Sequence, residues 1–255
     1  MIDTRAARML VCIALLAGVP WASAHDGHQE SPGSQSPESQ SPESMAAGPS
    51  ADYAFPLAEP GTYGLPAIKP AAGGGVLDEL GREHDLAELM RGRISILAFI
   101  YTRCGDVCPT ASLRMAQLQD LAAGTPGIAR RLRLVSMSFD PEHDTPEVMA
   151  DYAGHWRSVD PNAPEWLYVT TADQKQLQPI LAAYDQPVMP KAEPSTTGPL
   201  AHILRVFLID PSGQVRNIYS LDFLDPELVL NDIRTLILDE EQHGRRMFPT
   251  MSPTR

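Results

Sequence analysis

The sequence predicts an α/β domain built on a central mixed β-sheet with helices on both faces. Three observations carry that prediction. Ile94–Thr102 is a continuous apolar run rich in β-branched and aromatic residues, the pattern of a strand buried on both faces. Strand-like and helix-like segments then alternate, which argues for parallel strands joined by helical crossovers. Late in the chain, two strand-like runs flank Asp210-Pro211-Ser212-Gly213, a hairpin connection that adds an antiparallel edge.

The first run breaks at Arg103–Cys108, and Pro109 suits the opening position of a helix. Met115, Leu118, Leu121 and Ala122 give that helix an apolar stripe, and Gly124 ends it. Leu132–Phe139 reads as the next strand. Asp140-Pro141 follows it, and Thr145-Pro146-Glu147 opens the next helix. Trp166–Val169 is a short strand, and Asp173–Tyr184 a helix striped by Leu177, Ile180 and Leu181. Ile203–Ile209 and Val215–Tyr219 form the hairpin, and Pro226–Leu238 is the closing helix. The order β-α-β-α-β-α-β-β-α is the thioredoxin-like layout. Residues 53–241 make one such domain, and residues 242–255 read as a loose tail.

The chain has 255 residues, of which 43% are hydrophobic, enough to bury a real core. Twenty Lys and Arg against 32 Asp and Glu give a net charge of −12. A nucleic-acid-binding surface needs clustered cations to displace phosphate counterions, so that partner class is excluded. At the N-terminus, Arg5 and Arg8 precede the apolar run Met9–Val19, and Ala22-Ser23-Ala24 has the small-x-small pattern of a signal-peptidase site. Residues 1–24 therefore read as a signal peptide that carries Cys12 away, and an uncleaved inner-membrane tether is the alternative. Residues 25–52, rich in Ser, Pro, Glu and Gln with QSPES repeated at 35–39 and 40–44, read as a disordered acidic spacer. An exported, periplasmic protein with two remaining cysteines, in an oxidising compartment, is the expectation.

Those two cysteines, Cys104 and Cys108, flank Gly105-Asp106-Val107 between the buried strand and a helix start. Open α/β sheets place their sites at this end of a strand, and a helix N-terminus favours thiolate. Thiolates exchange disulfides and bind soft ions such as Cu(I). Thioredoxin-type oxidoreductases space their cysteines by two residues, whereas three stand here. That loop still closes a disulfide and also lets two sulfurs face one ion. Two sulfurs alone are an incomplete site for Cu(II), which accepts imidazole. His25 and His28 lie in the spacer and His84 in a polar connection. His143 belongs to a turn before a helix, and His155 to a helix among polar residues. His243, Met247 and Met251 are spaced by four in the tail. Histidine 202 precedes the strand that faces the dithiol loop in the thioredoxin layout. On position alone it is either a third ligand or an ordinary surface histidine.

FIYTRCGDVCP, then VSMSFDPEHDTPEVMADYA, then AHILRVFLIDPSG resemble the Sco/SenC family of copper-delivery proteins, in the right order and across residues 61 to 240. The resemblance implies copper, as Cu(I) or Cu(II), bound by Cys104, Cys108 and His202. It also implies a role in assembling the dinuclear copper centre of cytochrome c oxidase. Asp106 matches the acidic residue common in the family loop. Two positions depart from the pattern: Gly105 where proline is frequent, read as added flexibility, and Ala201 where aspartate often precedes the histidine. A carboxylate at 201 would tune the imidazole from outside the ligand set.

Two functions follow. In the first, the chain is a metallochaperone passing copper to the copper-accepting oxidase subunit, with another periplasmic copper chaperone or a thioredoxin-like reductant as further partners. In the second, it is a thiol–disulfide reductase in which Cys104 and Cys108 keep the oxidase's ligand cysteines reduced. Peroxidase chemistry on this layout uses Thr-x-x-Cys, and Thr102 stands one position too close to Cys104.

Overall fold

The computed structural model describes residues 56–192 and 196–247, with side chains as far as Gln242. The expected signal peptide, Cys12, the spacer with His25 and His28, and Met251 lie outside the described residues, as do the side chains of His243 and Met247. In chain order the strands are β1 (Lys69–Pro70), β2 (Gly75–Asp78), β3 (Glu83–Asp85), β4 (Ile94–Ile100), β5 (Leu132–Ser138), β6 (Glu165–Thr170), β7 (Val188–Pro190), β8 (Leu200–His202), β9 (Val206–Ile209) and β10 (Gln214–Tyr219). The helices are α1 (Leu86–Met90), α2 (Val107–Ala123), α3 (Pro126–Ala129), α4 (Pro146–Trp156), α5 (Gln174–Ala183) and α6 (Pro226–Met247).

Eight strands form one mixed sheet in the order β1-β10-β9-β4-β5-β6-β2-β3. Strands β4, β5 and β6 run parallel at its centre, with Ile94 opposite Leu132 and Val135 opposite Leu167. All seven residues of β4 are buried, as its unbroken apolar run requires. The late hairpin β9–β10 lies inside the sheet rather than at its edge, because β9 pairs antiparallel with β4 and β1 caps β10. Helix α2 packs against both α6 and α4, and α5 lays Tyr184 against Phe99 and Phe207 at 5.3 and 5.0 Å between ring centres.

Local chemistry accounts for most element ends. Thr145 caps α4 by accepting from the Val148 N–H, and Pro146 takes the first turn, where its missing N–H is harmless. Asp173 caps α5 through the Gln176 N–H at 2.8 Å. Four boundaries differ from the sequence reading. Strand β4 stops at Ile100. Helix α2 starts at Val107, so Cys108 and Pro109 both lie in its first turn, where N–H groups have no helical acceptor. Strand β9 starts only at Val206, and Ile203–Arg205 are irregular. Helix α6 runs to Met247 rather than Leu238, because Glu240, Glu241 and Gln242 are polar yet good helix formers that continue it as an extension. The rest of the expected tail, residues 248–255, lies outside the described residues. Among the described residues, no helix is long and apolar enough to cross a membrane.

Candidate metal centre

At the carboxyl end of β4 the chain leaves the sheet at Tyr101, and the Cys104 N–H donates back to the Tyr101 carbonyl at 3.2 Å. Three residues later α2 begins and carries Cys108 inward. Cys104 is 7% exposed and Cys108 fully buried, and both are free thiols. The third member comes from β8, where His202 sits opposite Val188 of β7. This small two-stranded sheet is separate from the main one. His202 therefore lies on a hairpin of its own, with Ile203–Arg205 between it and the strand that sequence reading attached it to.

The two sulfurs and a ring nitrogen of His202 lie within 4.8 Å of one another. His202 Nε2 is 3.7 Å from Cys108 Sγ. This is the sole cluster of its kind among the described residues. Two thiolates and an imidazole in one small, largely buried space form a donor set suited to a soft ion such as Cu(I). The other His202 nitrogen, Nδ1, is buried without a hydrogen-bond partner, so no neighbour fixes the ring's tautomer from behind. Ala201 pairs with Met189, and strand alternation points it away from the His202 face. A carboxylate at 201 would not reach the imidazole along the strand. Instead, two aromatic walls hold the ring: Phe139 at 4.8 Å and Tyr101, edge-on, at 5.7 Å.

The two thiols are electrically unlike. Cys104 is pulled down to about 3, first by the hydrogen bond from Cys108 and then by His202 and the N–H groups of Cys108 and Asp106; its partial burial opposes them. The Cys108 N–H lies 3.5 Å from Cys104 Sγ, a helix-start donor aimed at an anion. Cys108 is pushed well above the ordinary thiol range, because it donates to Cys104 and is buried. Both directions make Cys104 the readier thiolate and Cys108 its donor, so Cys104 is the sulfur suited to meet a reagent or an ion first.

Sequence reasoning missed what braces this loop. Asp144, fully buried, accepts from the Thr102 N–H at 3.0 Å, the Thr102 hydroxyl at 2.5 Å and the Ser138 hydroxyl at 2.5 Å. Arg103 donates to Asp140 at 2.6 and 3.2 Å. The Asp140-Pro-Glu-His-Asp144 turn therefore ties the end of β5 to the residues that lead into Cys104. Replacing Asp144 with Ala leaves the buried Ser138 hydroxyl and two half-buried Thr102 donors without an acceptor, and the expected cost is about 2–4 kcal/mol of unfolding free energy. Urea denaturation of the variant beside the parent measures it.

The other described histidines, His84, His143 and His155, lie outside the cluster. His84 is half-buried in β3 and bonded to Asp78 at 3.0 Å, so it is paired rather than simply solvated. His143 is an exposed turn residue, and His155 Nδ1 meets the Asp151 carbonyl on α4 at 2.9 Å.

Glycine at 105 has a steric reason in place of the expected flexibility. A Cβ there would lie 2.7 Å from the backbone oxygen of Thr196, so two chain segments touch across it.

The family model for SCO1/SenC matches residues 76–238. A Stutzerimonas stutzeri protein named for copper binding is 29% identical over 130 residues, covering 51% of this chain and 59% of its own length. This chain thus spans less than two thirds of that relative. Among solved structures, copper-bound ScoI of Arabidopsis thaliana superposes with a TM-score of 0.58 at 19% identity, over 66% of this chain and 98% of that one. BsSco, described with a disulfide switch and as a member of the Sco family of cytochrome c oxidase assembly proteins, gives 0.52 at 20% identity, over 67% and 95%. These likenesses confirm the thioredoxin-like fold. With a family model matched across the sheet, the dithiol loop and the His202 hairpin, the chain belongs to the SCO1/SenC family.

Proposed function

We propose that this chain is an exported copper carrier that holds one ion through Cys104, Cys108 and His202 and passes it to the dinuclear copper centre of cytochrome c oxidase. The convergence of those three ligand atoms within 4.8 Å carries the reading. The copper-bound Arabidopsis neighbour and the oxidase-assembly description of BsSco support it. The ion is cargo, and the geometry suits release. Cys104, the less buried of the two sulfurs and the readier thiolate, offers an incoming ligand a point of attack, while Cys108 and His202 keep hold. Exchange of one ligand at a time then moves the ion without a free intermediate. The copper-accepting oxidase subunit is the recipient in this reading. A second exported copper chaperone supplies the ion, and a thioredoxin-like reductant restores the dithiol, since a disulfide offers no thiolate.

The asymmetry of the thiols also favours a second reading. A thiolate at Cys104 beside a protonated Cys108 is the arrangement of an attacking and a resolving sulfur, so reduction of the oxidase's own ligand cysteines is the alternative activity. Cells lacking the chain decide between them. The carrier reading predicts an oxidase without its dinuclear copper, restored by the parent chain but not by His202→Ala. Full restoration by His202→Ala, with none by Cys104→Ser, would favour the reductase.

A further inference from the structure

The hairpin that carries His202 pairs with itself and not with the eight-stranded sheet, so no strand ladder fixes it over the dithiol loop. Nor does a hydrogen bond fix the imidazole from behind, because Nδ1 is buried and unpartnered. Something else must hold the ring where Nε2 faces Cys108. Tyr101, fully buried, aims its hydroxyl at two carbonyls of this hairpin, Thr197 at 3.1 Å and Leu200 at 3.2 Å. A single O–H proton is shared between them. The same ring stands edge-on to His202 at 5.7 Å. One residue at the end of β4, three positions before Cys104, therefore grips the backbone two residues before His202 and also walls the imidazole.

Two glycines let this grip close. Gly198 lies between the two gripped carbonyls with φ +96°, a conformation that side chains rarely adopt. A Cβ there would lie 2.3 Å from the Tyr101 hydroxyl oxygen and 2.7 Å from the Arg103 carbonyl. Gly105 meets the same strap from below, as its 2.7 Å approach to the Thr196 oxygen shows. Lys191 ties the strap across the hairpin by donating to the Thr197 hydroxyl at 2.6 Å. Together, Gly105 and Gly198 allow Thr196–Gly198 to lie directly on Tyr101–Gly105, with the phenol hydroxyl as the fastening.

We propose that Tyr101 is a positioning residue for the third ligand: its hydroxyl clamps the β7–β8 hairpin so that the imidazole of His202, which has Phe139 as its other wall, is held against the Cys104–Cys108 pair. The inference rests on the copper-site reading for its functional meaning and on apo geometry for its physical content, so the two are tested apart. Tyr101→Phe keeps the ring and both aromatic walls and removes only the fastening. In the reduced, metal-free domain, amide exchange in β7 and β8 is expected to accelerate roughly 3- to 10-fold, the size of one ordinary hydrogen bond. With copper, the Cu(II)–thiolate absorption band should shift or broaden and Cu(II) affinity should fall by a similar factor. Cu(I) affinity should stay within about twofold, since two thiolates suffice for that ion. Gly198→Ala, which pushes the strap off from the other side, should give the same changes in larger size. Parental exchange in Tyr101→Phe overturns the clamp. So does faster exchange with a parental Cu(II) band and affinity, because Tyr101 would then hold the hairpin without positioning a ligand. His202→Ala serves as the reference. If it too keeps the parental Cu(II) band, the imidazole is not a ligand and the copper-site reading fails, while the exchange result still decides whether the clamp exists.

Discussion

Replacing Cys104 or Cys108 with Ala is expected to lower Cu(I) affinity by at least about a hundredfold, and the double replacement to abolish stoichiometric loading. Four-ligand structural metal sites are worth about 10–16 kcal/mol, so one ligand carries roughly 3 kcal/mol, or a little over two decades in affinity. Both sulfurs sit in one cluster, and no second group of three metal-ligating side chains exists among the described residues to take over. The two variants should differ in stability. Cys108 is fully buried in the first turn of α2, whereas Cys104 touches solvent, so Cys108→Ala leaves the larger packing defect. Competition titration with a Cu(I) chelator, beside thermal unfolding, reads both effects. Undiminished binding by the double variant would move the site elsewhere in the chain.

His202→Ala is expected to separate the two oxidation states. Cu(I) accepts two-coordinate thiolate ligation, so its affinity should fall by less than about tenfold, whereas Cu(II), which wants added nitrogen, should lose a hundredfold or more on the order of one whole ligand. The fold should survive, because the residue lies half-buried on a hairpin outside the main sheet. Disulfide formation needs only the sulfurs and should proceed as in the parent. Paired Cu(I) and Cu(II) titrations of the reduced variant measure the split. Parental affinity for both ions would remove His202 from the ligand set.

How far the sequence could be read depends on whether each feature is local. The dithiol loop was legible because everything that defines it lies within fifteen residues: a buried strand, a break, and a proline in the first turn of a helix. The central parallel strands were legible for the same reason. His202 was placed on the correct side of the fold, but position alone left it open, and the resemblance of AHILRVFLIDPSG chose the ligand reading. The hairpin beneath it was missed. Val188-Met189-Pro190 and Leu200-Ala201-His202 are three residues each, too short for alternation to show, and Pro190 and Pro199 argue against a strand. Short β1 to β3 were missed likewise. The bracing by Asp144 was not legible because its partner Thr102 is 42 residues away, and no local pattern announces that bond. Gly105 read as flexible for the same reason: its neighbour, the Thr196 carbonyl, comes from a segment more than ninety positions later. The bracing and the clamp belong to tertiary structure, whereas the sulfurs belong to local sequence.

The central claim is that Cys104, Cys108 and His202 form one copper site that exists only in the dithiol state. Titration of the reduced domain with Cu(I) under a competing chelator tests it most directly, run beside the oxidised domain and the domain alkylated at both thiols. The account predicts one tightly held equivalent in the reduced protein and none in the other two. One tight equivalent in the oxidised or alkylated protein would contradict it.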